Sequence, residues 1–140
     1  MPPEYRDPTD PAEWLRRARS NVARARADRG LPDVLYEDLC FDAQQAVEKC
    51  LKALLVQRKV PFPKTHAIAD LLTLVQPSGL DVPADIRQAS ELTEYAVEAR
   101  YPGLFEDVMH EDYVQALDLA ERVLRWVESL VSPPKSGPRH

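Results

Sequence analysis

The sequence predicts an all-α fold, an antiparallel up-and-down bundle of four to five helices. Three observations carry this. Apolar residues recur at three- and four-residue steps over long stretches, alternating strand-like runs are missing, and Pro- or Gly-bearing breaks divide the chain into five periodic segments. The 140 residues, 44% hydrophobic and 29% charged, suit one domain with a real core. No run approaches the roughly eighteen apolar residues of a membrane span. The opening "MPPEYRDPTDP" has no apolar signal core, so the cytoplasm is the expected location. Residues 1–10 read as an extension, 11–131 as the bundle, and 132–140, "SPPKSGPRH", as a disordered tail.

The first helix is expected over residues 11–28, with Asp10 as N-cap, Pro11 at the first helical position and Glu13 completing a capping box. Trp14, Ala18, Val22 and Ala25 form its apolar stripe, and Gly30 and Pro32 end it. The second helix, 34–59, carries Tyr36, Leu39, Ala43, Ala46, Val47, Cys50 and Leu54 on one stripe. A second line, Phe41, Gln44, Glu48, Leu51 and Leu55, runs along another side of it. Such a helix is either central in the bundle or meets another subunit through that line. A short third helix follows "VPFPK", with Thr65 as N-cap and Ile68, Leu71, Leu72 and Val75 inward. The fourth covers 84–100 and stops before Pro102. The fifth, 111–131, carries Tyr113, Ala116, Leu117, Ala120, Val123, Leu124 and Val127 inward.

Cys40 and Cys50 lie ten residues apart on one helix, about 15 Å, beyond the roughly 7 Å reach of a disulfide. With no CxxC spacing and three scattered histidines, neither a metal nor another cofactor is expected. The net charge of −5 argues against general nucleic-acid binding. Against that average, "WLRRARSNVARARADRG" gathers Arg16, Arg17, Arg19, Arg24, Arg26 and Arg29. Two readings stand: a solvated face paired with acids elsewhere, or a surface that contacts RNA.

On a wheel for the fourth helix, Arg100 falls in the apolar arc, with Ala96 and Val97 as its local neighbours. An inward cation needs a terminal carbonyl, a carboxylate such as Glu48, or a ligand anion. Tyr101 reads as a core anchor or as part of the same site. His66, read as one residue inside a helix, suits a base or an acceptor as well as a capping role. His110 suits an N-cap.

"FDAQQAVEKCLKALLVQRKVPFPKTHAIADLL" and "VEARYPG" resemble the HEPN domain family, and the likeness runs from "WLRRA" through the last helix. Gln44, Gln45, Glu48, Lys49 and Lys52, the Thr65-His66 pair and the Arg100-Tyr101-Pro102 triplet carry it. The resemblance implies a helical bundle that forms a homodimer and pairs with a minimal nucleotidyltransferase in toxin-antitoxin-like two-gene modules. Many HEPN proteins look like metal-independent RNases built on an arginine followed by four to six residues and a histidine. Here nine residues separate Arg100 from His110, and no other arginine meets the spacing.

The expected function is therefore a HEPN-type nucleotide- or RNA-binding and interaction module. Arg100, Tyr101, His66, Glu48 and Gln44 are its ligand-binding candidates, and Phe41, Gln44 and Leu55 its dimer face. A metal-independent endoribonuclease toxin, with Arg100 and His66 as catalytic candidates, is the alternative. A structural adaptor without ligand is the third.

Overall fold

Helix α1 (Pro11–Ala27) begins where the sequence places it: the Asp10 carboxylate accepts a hydrogen bond from the Ala12 amide at 2.9 Å. Glu13 does not close a capping box, because its carboxylate is taken by Arg16 and Arg17. The structure is a computed structural model that describes residues 7–27, 31–96 and 106–131. The other helices are α2 (Tyr36–Gln57), α3 (Ile68–Val75), the single turn α4 (Ala84–Arg87) and α5 (His110–Leu130). Two 3₁₀ segments, Gln76–Ser78 and Gln88–Ala96, complete the order, and the described residues contain no strand.

Side-chain pairs fix the directions. Asp42 bonds Asn21 near one end of the α1–α2 contact while Lys52 sits over Trp14 near the other, so these helices run antiparallel. Arg19–Glu128 and Arg26–Glu121 do the same for α1 and α5. Asp85–Arg122 and Glu91–Gln115 set α4 and its 3₁₀ continuation antiparallel to α5. The result is an up-down-up-down bundle.

Helix α2 is central, packed by α1, α5, α3 and the long 3₁₀ segment. Both of its lines are therefore internal: Leu39, Ala43, Val47 and Leu54 are buried, and so are Gln44, Glu48, Leu51 and Leu55. This corrects the expected dimer face. Gln44 and Leu55 are each 0% exposed in the single chain, so they have no surface to offer a second copy; only Phe41 keeps some. Among the described residues the exposed large apolar side chains are instead Leu31, Leu35, Tyr36, Met109 and Val114.

The fourth helix also departs from expectation. Ile86, Ala89, Leu92 and Tyr95 are its buried residues, three apart throughout, which matches three residues per turn rather than 3.6. The chain tightens into 3₁₀ geometry over Gln88–Ala96 to keep that row on α2. Ile86, Ala89 and Leu92 are inward on a 3.6-residue wheel as well, and the tighter winding adds Tyr95 to their row. Residues 97–105, with Arg100 and Tyr101, and the tail 132–140 lie outside the described residues.

Helix α2 ends in a Schellman motif: the Val60 amide donates to Leu55 and the Lys59 amide to Val56, with Lys59 left-handed at φ 60°. This turns the chain back along α2 and lays Phe62 against Trp14 and His66 against Glu48. α3 starts later than predicted. Thr65 is not its N-cap; it accepts from the Ala67 amide at 3.0 Å, and Ala67 occupies the cap position. His66 therefore precedes the helix, and the helix-dipole argument for it does not apply.

Candidate functional site

Glu48 organises the polar centre of the molecule. It lies mid-way along α2 and is 4% exposed, so its charge must be met from within. Three donors meet it. Gln44 Nε2 donates to Oε1 at 2.9 Å, Lys52 Nζ to Oε2 at 2.8 Å, and His66 Nδ1 stands 3.1 Å from Oε1. Helical spacing explains the first two, since residues four positions either side share a face with Glu48. The third comes from the turn after α2. Gln44 is held in its turn, accepting from Gln45 at 2.8 Å and reaching the His66 carbonyl at 3.4 Å.

Burial alone would raise the Glu48 pKa, but the hydrogen bonds from Lys52, His66 and Gln44 outweigh it and hold the carboxyl below its ordinary value. An ionised carboxylate only accepts, so the proton between Glu48 and His66 sits on Nδ1. In the neutral ring this leaves Nε2 as the acceptor, on a side chain that is 70% exposed. Lys52 also lies 5.7 Å from the ring centres of both Trp14 and Phe62, which anchor its ammonium from the other side.

Among the residues expected at the site, the fold thus brings together Glu48, Gln44 and His66. Phe41 and Leu55 are not part of the cluster, and Arg100 and Tyr101 lie outside the described residues. His110 is remote from it, packed edge-on against Tyr36 at 5.5 Å. Among the described residues no group of three or more His, Cys, Asp or Glu side chains converges as metal ligands do.

A second buried polar group was not anticipated. Asn21 Nδ2 donates to Asp42 Oδ1 at 3.0 Å, Lys49 Nζ donates to Asn21 Oδ1 at 2.8 Å, and Arg24 lies 3.4 Å from Asp42. Its signal was present in the sequence: Asn21 falls beside Val22 on the inward stripe, and Asp42 and Lys49 are one heptad apart. The arginine run of α1 resolves into pairs, with Arg16 and Arg17 on Glu13, Arg19 on Glu128, Arg24 on Asp42 and Arg26 on Glu121. These pairs are what the paired-face reading expects; Arg29 lies outside the described residues.

The model of the HEPN domain family matches residues 11–130, the whole bundle. The chain belongs to the HEPN domain family. An archaeal HEPN homologue of known crystal structure shares 27% identity with it at a TM-score of 0.69, over 88% of this chain and 98% of that one. A HEPN domain protein from Thermotoga maritima shares the fold at 21% identity and a TM-score of 0.64, over 84% and 96%. No curated protein matches. No described helix of this HEPN domain is long and apolar enough to cross a membrane.

Proposed function

We propose that this HEPN domain is a nucleotide- or RNA-binding and interaction module that works as a homodimer beside a minimal nucleotidyltransferase. The observation that carries the binding reading is the Glu48–His66 contact. A buried carboxylate fixes an exposed imidazole, and a surface histidine needs no such anchor for stability. Arg100 and Tyr101 complete the site in this reading, the arginine meeting phosphate through its planar fork. Glu48 is already neutralised by Lys52, so it makes no demand on Arg100. That favours ligand binding over the adaptor alternative. The dimer and the nucleotidyltransferase partner rest on membership of the family.

A second reading, metal-independent ribonuclease, draws on the same contact. With Nδ1–H held by Glu48, Nε2 is oriented to take the proton of a ribose 2′-hydroxyl, and Arg100 would stabilise the phosphorane charge. The missing arginine-to-histidine spacing places this reading second.

Fluorescence anisotropy of a short labelled RNA and of mononucleotides, in EDTA, tests both. Binding that weakens in His66→Ala and Arg100→Ala without strand cleavage supports the module. Cleavage abolished by His66→Ala makes the protein a ribonuclease. No binding by the parent protein sinks both.

A further inference from the structure

Helix α3 and residues 84–96 run antiparallel, and two side-chain contacts pin them together. At one end Thr93 accepts from the Ile68 amide at 3.1 Å, and at the other Arg87 donates to the Gln76 side-chain oxygen at 3.3 Å. Arg87, Ser90 and Thr93 are three apart, so the 3₁₀ winding sets them in one row, about a third of a turn from the buried Ile86, Ala89 and Leu92. Between the two pins the walls part. They enclose a cleft of about 480 Å³, apolar where Ala69, Leu72 and Pro77 line it and polar at Gln76, Arg87 and Ser90.

The fold fixes Arg87 without neutralising it. Its Nε donates to the Val82 carbonyl at 3.2 Å and one terminal nitrogen donates to Gln76, both neutral oxygens, which leaves three of its five N–H groups unengaged among the described residues. The neighbouring acids face α5 instead: Asp85 meets Arg122, and Glu91 meets Gln115. The described arginines of α1, by contrast, all end on carboxylates. The carbonyl end of α3 offsets at most about half a charge. Two further donors line the cleft. Ser90 is half-buried and its hydroxyl has no hydrogen bond to the described residues, and Gln76, its oxygen held by Arg87, keeps its amide N–H groups to donate.

We propose that this cleft binds a small apolar monocarboxylate, its carboxylate on the free fork of Arg87, Ser90 and Gln76 and its body along Ala69, Leu72 and Pro77. The charge selects the anion: the lining carries one cation and no acid, which a carboxylate balances, whereas a phosphate monoester brings close to two charges near pH 7 and leaves one unmet. A guanidinium fork also matches the two oxygens of a carboxylate. The volume, in the lower half of the roughly 300 to 1,000 Å³ usual for small-molecule sites, suits a body of one or two rings. This site shares no residue with the Glu48–His66 cluster and does not depend on it.

Titration of the isotope-labelled full chain, followed by amide NMR shifts, tests the proposal with naphthaleneacetate, naphthaleneacetamide, acetate and naphthyl phosphate. Naphthaleneacetate should saturate, with shifts centred on Leu72, Thr73, Gln76 and Ser90. The uncharged amide should bind about tenfold or more weakly, and acetate and the phosphate should also bind less well. Arg87→Gln, at an exposed position, should lower naphthaleneacetate affinity about tenfold or more with little change in Tm, and Arg87→Lys should restore it poorly. Ser90→Ala should weaken binding in the same direction, while His66→Ala and Arg100→Ala should leave it unchanged. The proposal is overturned if naphthaleneacetate does not bind at millimolar concentration, if the amide or the phosphate binds as well as the acid, or if Arg87→Gln binds like the parent. Should Arg87→Gln fail to fold, the acid-against-amide comparison in the parent and the Ser90→Ala protein still decides.

Discussion

His66 Nδ1 and Glu48 Oε1 lie 3.1 Å apart across eighteen positions of chain, one atom on an exposed ring and the other on a buried carboxylate. The two ends of this contact differ in energetic weight. Removing Glu48 leaves Lys52, itself 13% exposed, without its counter-charge, so Glu48→Ala is expected to cost about 3 to 5 kcal/mol. Removing the exposed imidazole, as in His66→Ala, should cost less, about 1 kcal/mol, because the carboxylate keeps Lys52 and Gln44 as donors. Urea unfolding of the two variants checks the asymmetry, and equal losses would contradict it.

The same carboxyl sets an acid limit. Its folded pKa lies below the ordinary value of 4.5, so the unfolded chain takes up its proton first as pH falls. The stability Glu48 contributes is complete above that ordinary value and is lost as pH drops through the folded one. Urea midpoints should therefore fall as the buffer is taken from about pH 5 to pH 3, and Glu48→Gln should flatten that part of the curve. An unchanged slope in the variant would assign the acid transition to other groups.

Burial separates two residues once assigned to one face. Leu55→Ala should cost about 2 to 5 kcal/mol, because Leu55 is wholly enclosed and its removal leaves a cavity. Phe41→Asp, at a partly exposed position, should leave the fold intact and shift any dimer toward monomer in light scattering. A Phe41→Asp protein that is as dimeric as its parent removes Phe41 from the interface.

Tyr113 ties α5 to the last turn of α1, its hydroxyl donating to the Ala25 carbonyl at 2.8 Å in the interior. Tyr113→Phe keeps the ring and removes this buried hydrogen bond, a loss of about 1 kcal/mol measurable by urea or thermal unfolding.

Arg100→Ala should lower affinity for short RNA or nucleotides with little change in Tm, because Lys52 already neutralises Glu48. Arg100→Lys should restore binding poorly, since an ammonium does not reproduce a two-pronged contact with phosphate. A large fall in Tm with unaltered binding would return Arg100 to a structural role.

The sequence by itself determined the number and order of the long helices, because their apolar residues repeat with the helical period and Asp10, Pro11 and the proline-rich links mark their limits. It also marked Glu48 and His66 as residues of interest, through the pattern shared with the HEPN family. Tertiary structure alone decided what these residues do. Periodicity reports that Gln44 and Leu55 form an apolar-flanked line but not what covers it, and four neighbouring elements cover α2 within one chain. The 3₁₀ winding of Gln88–Ala96 follows from packing a three-spaced row onto α2, against local helix preference. The Glu48–His66 and Lys49–Asn21–Asp42 contacts join residues separated by a turn or a whole helix, and their geometry exists only once the bundle closes.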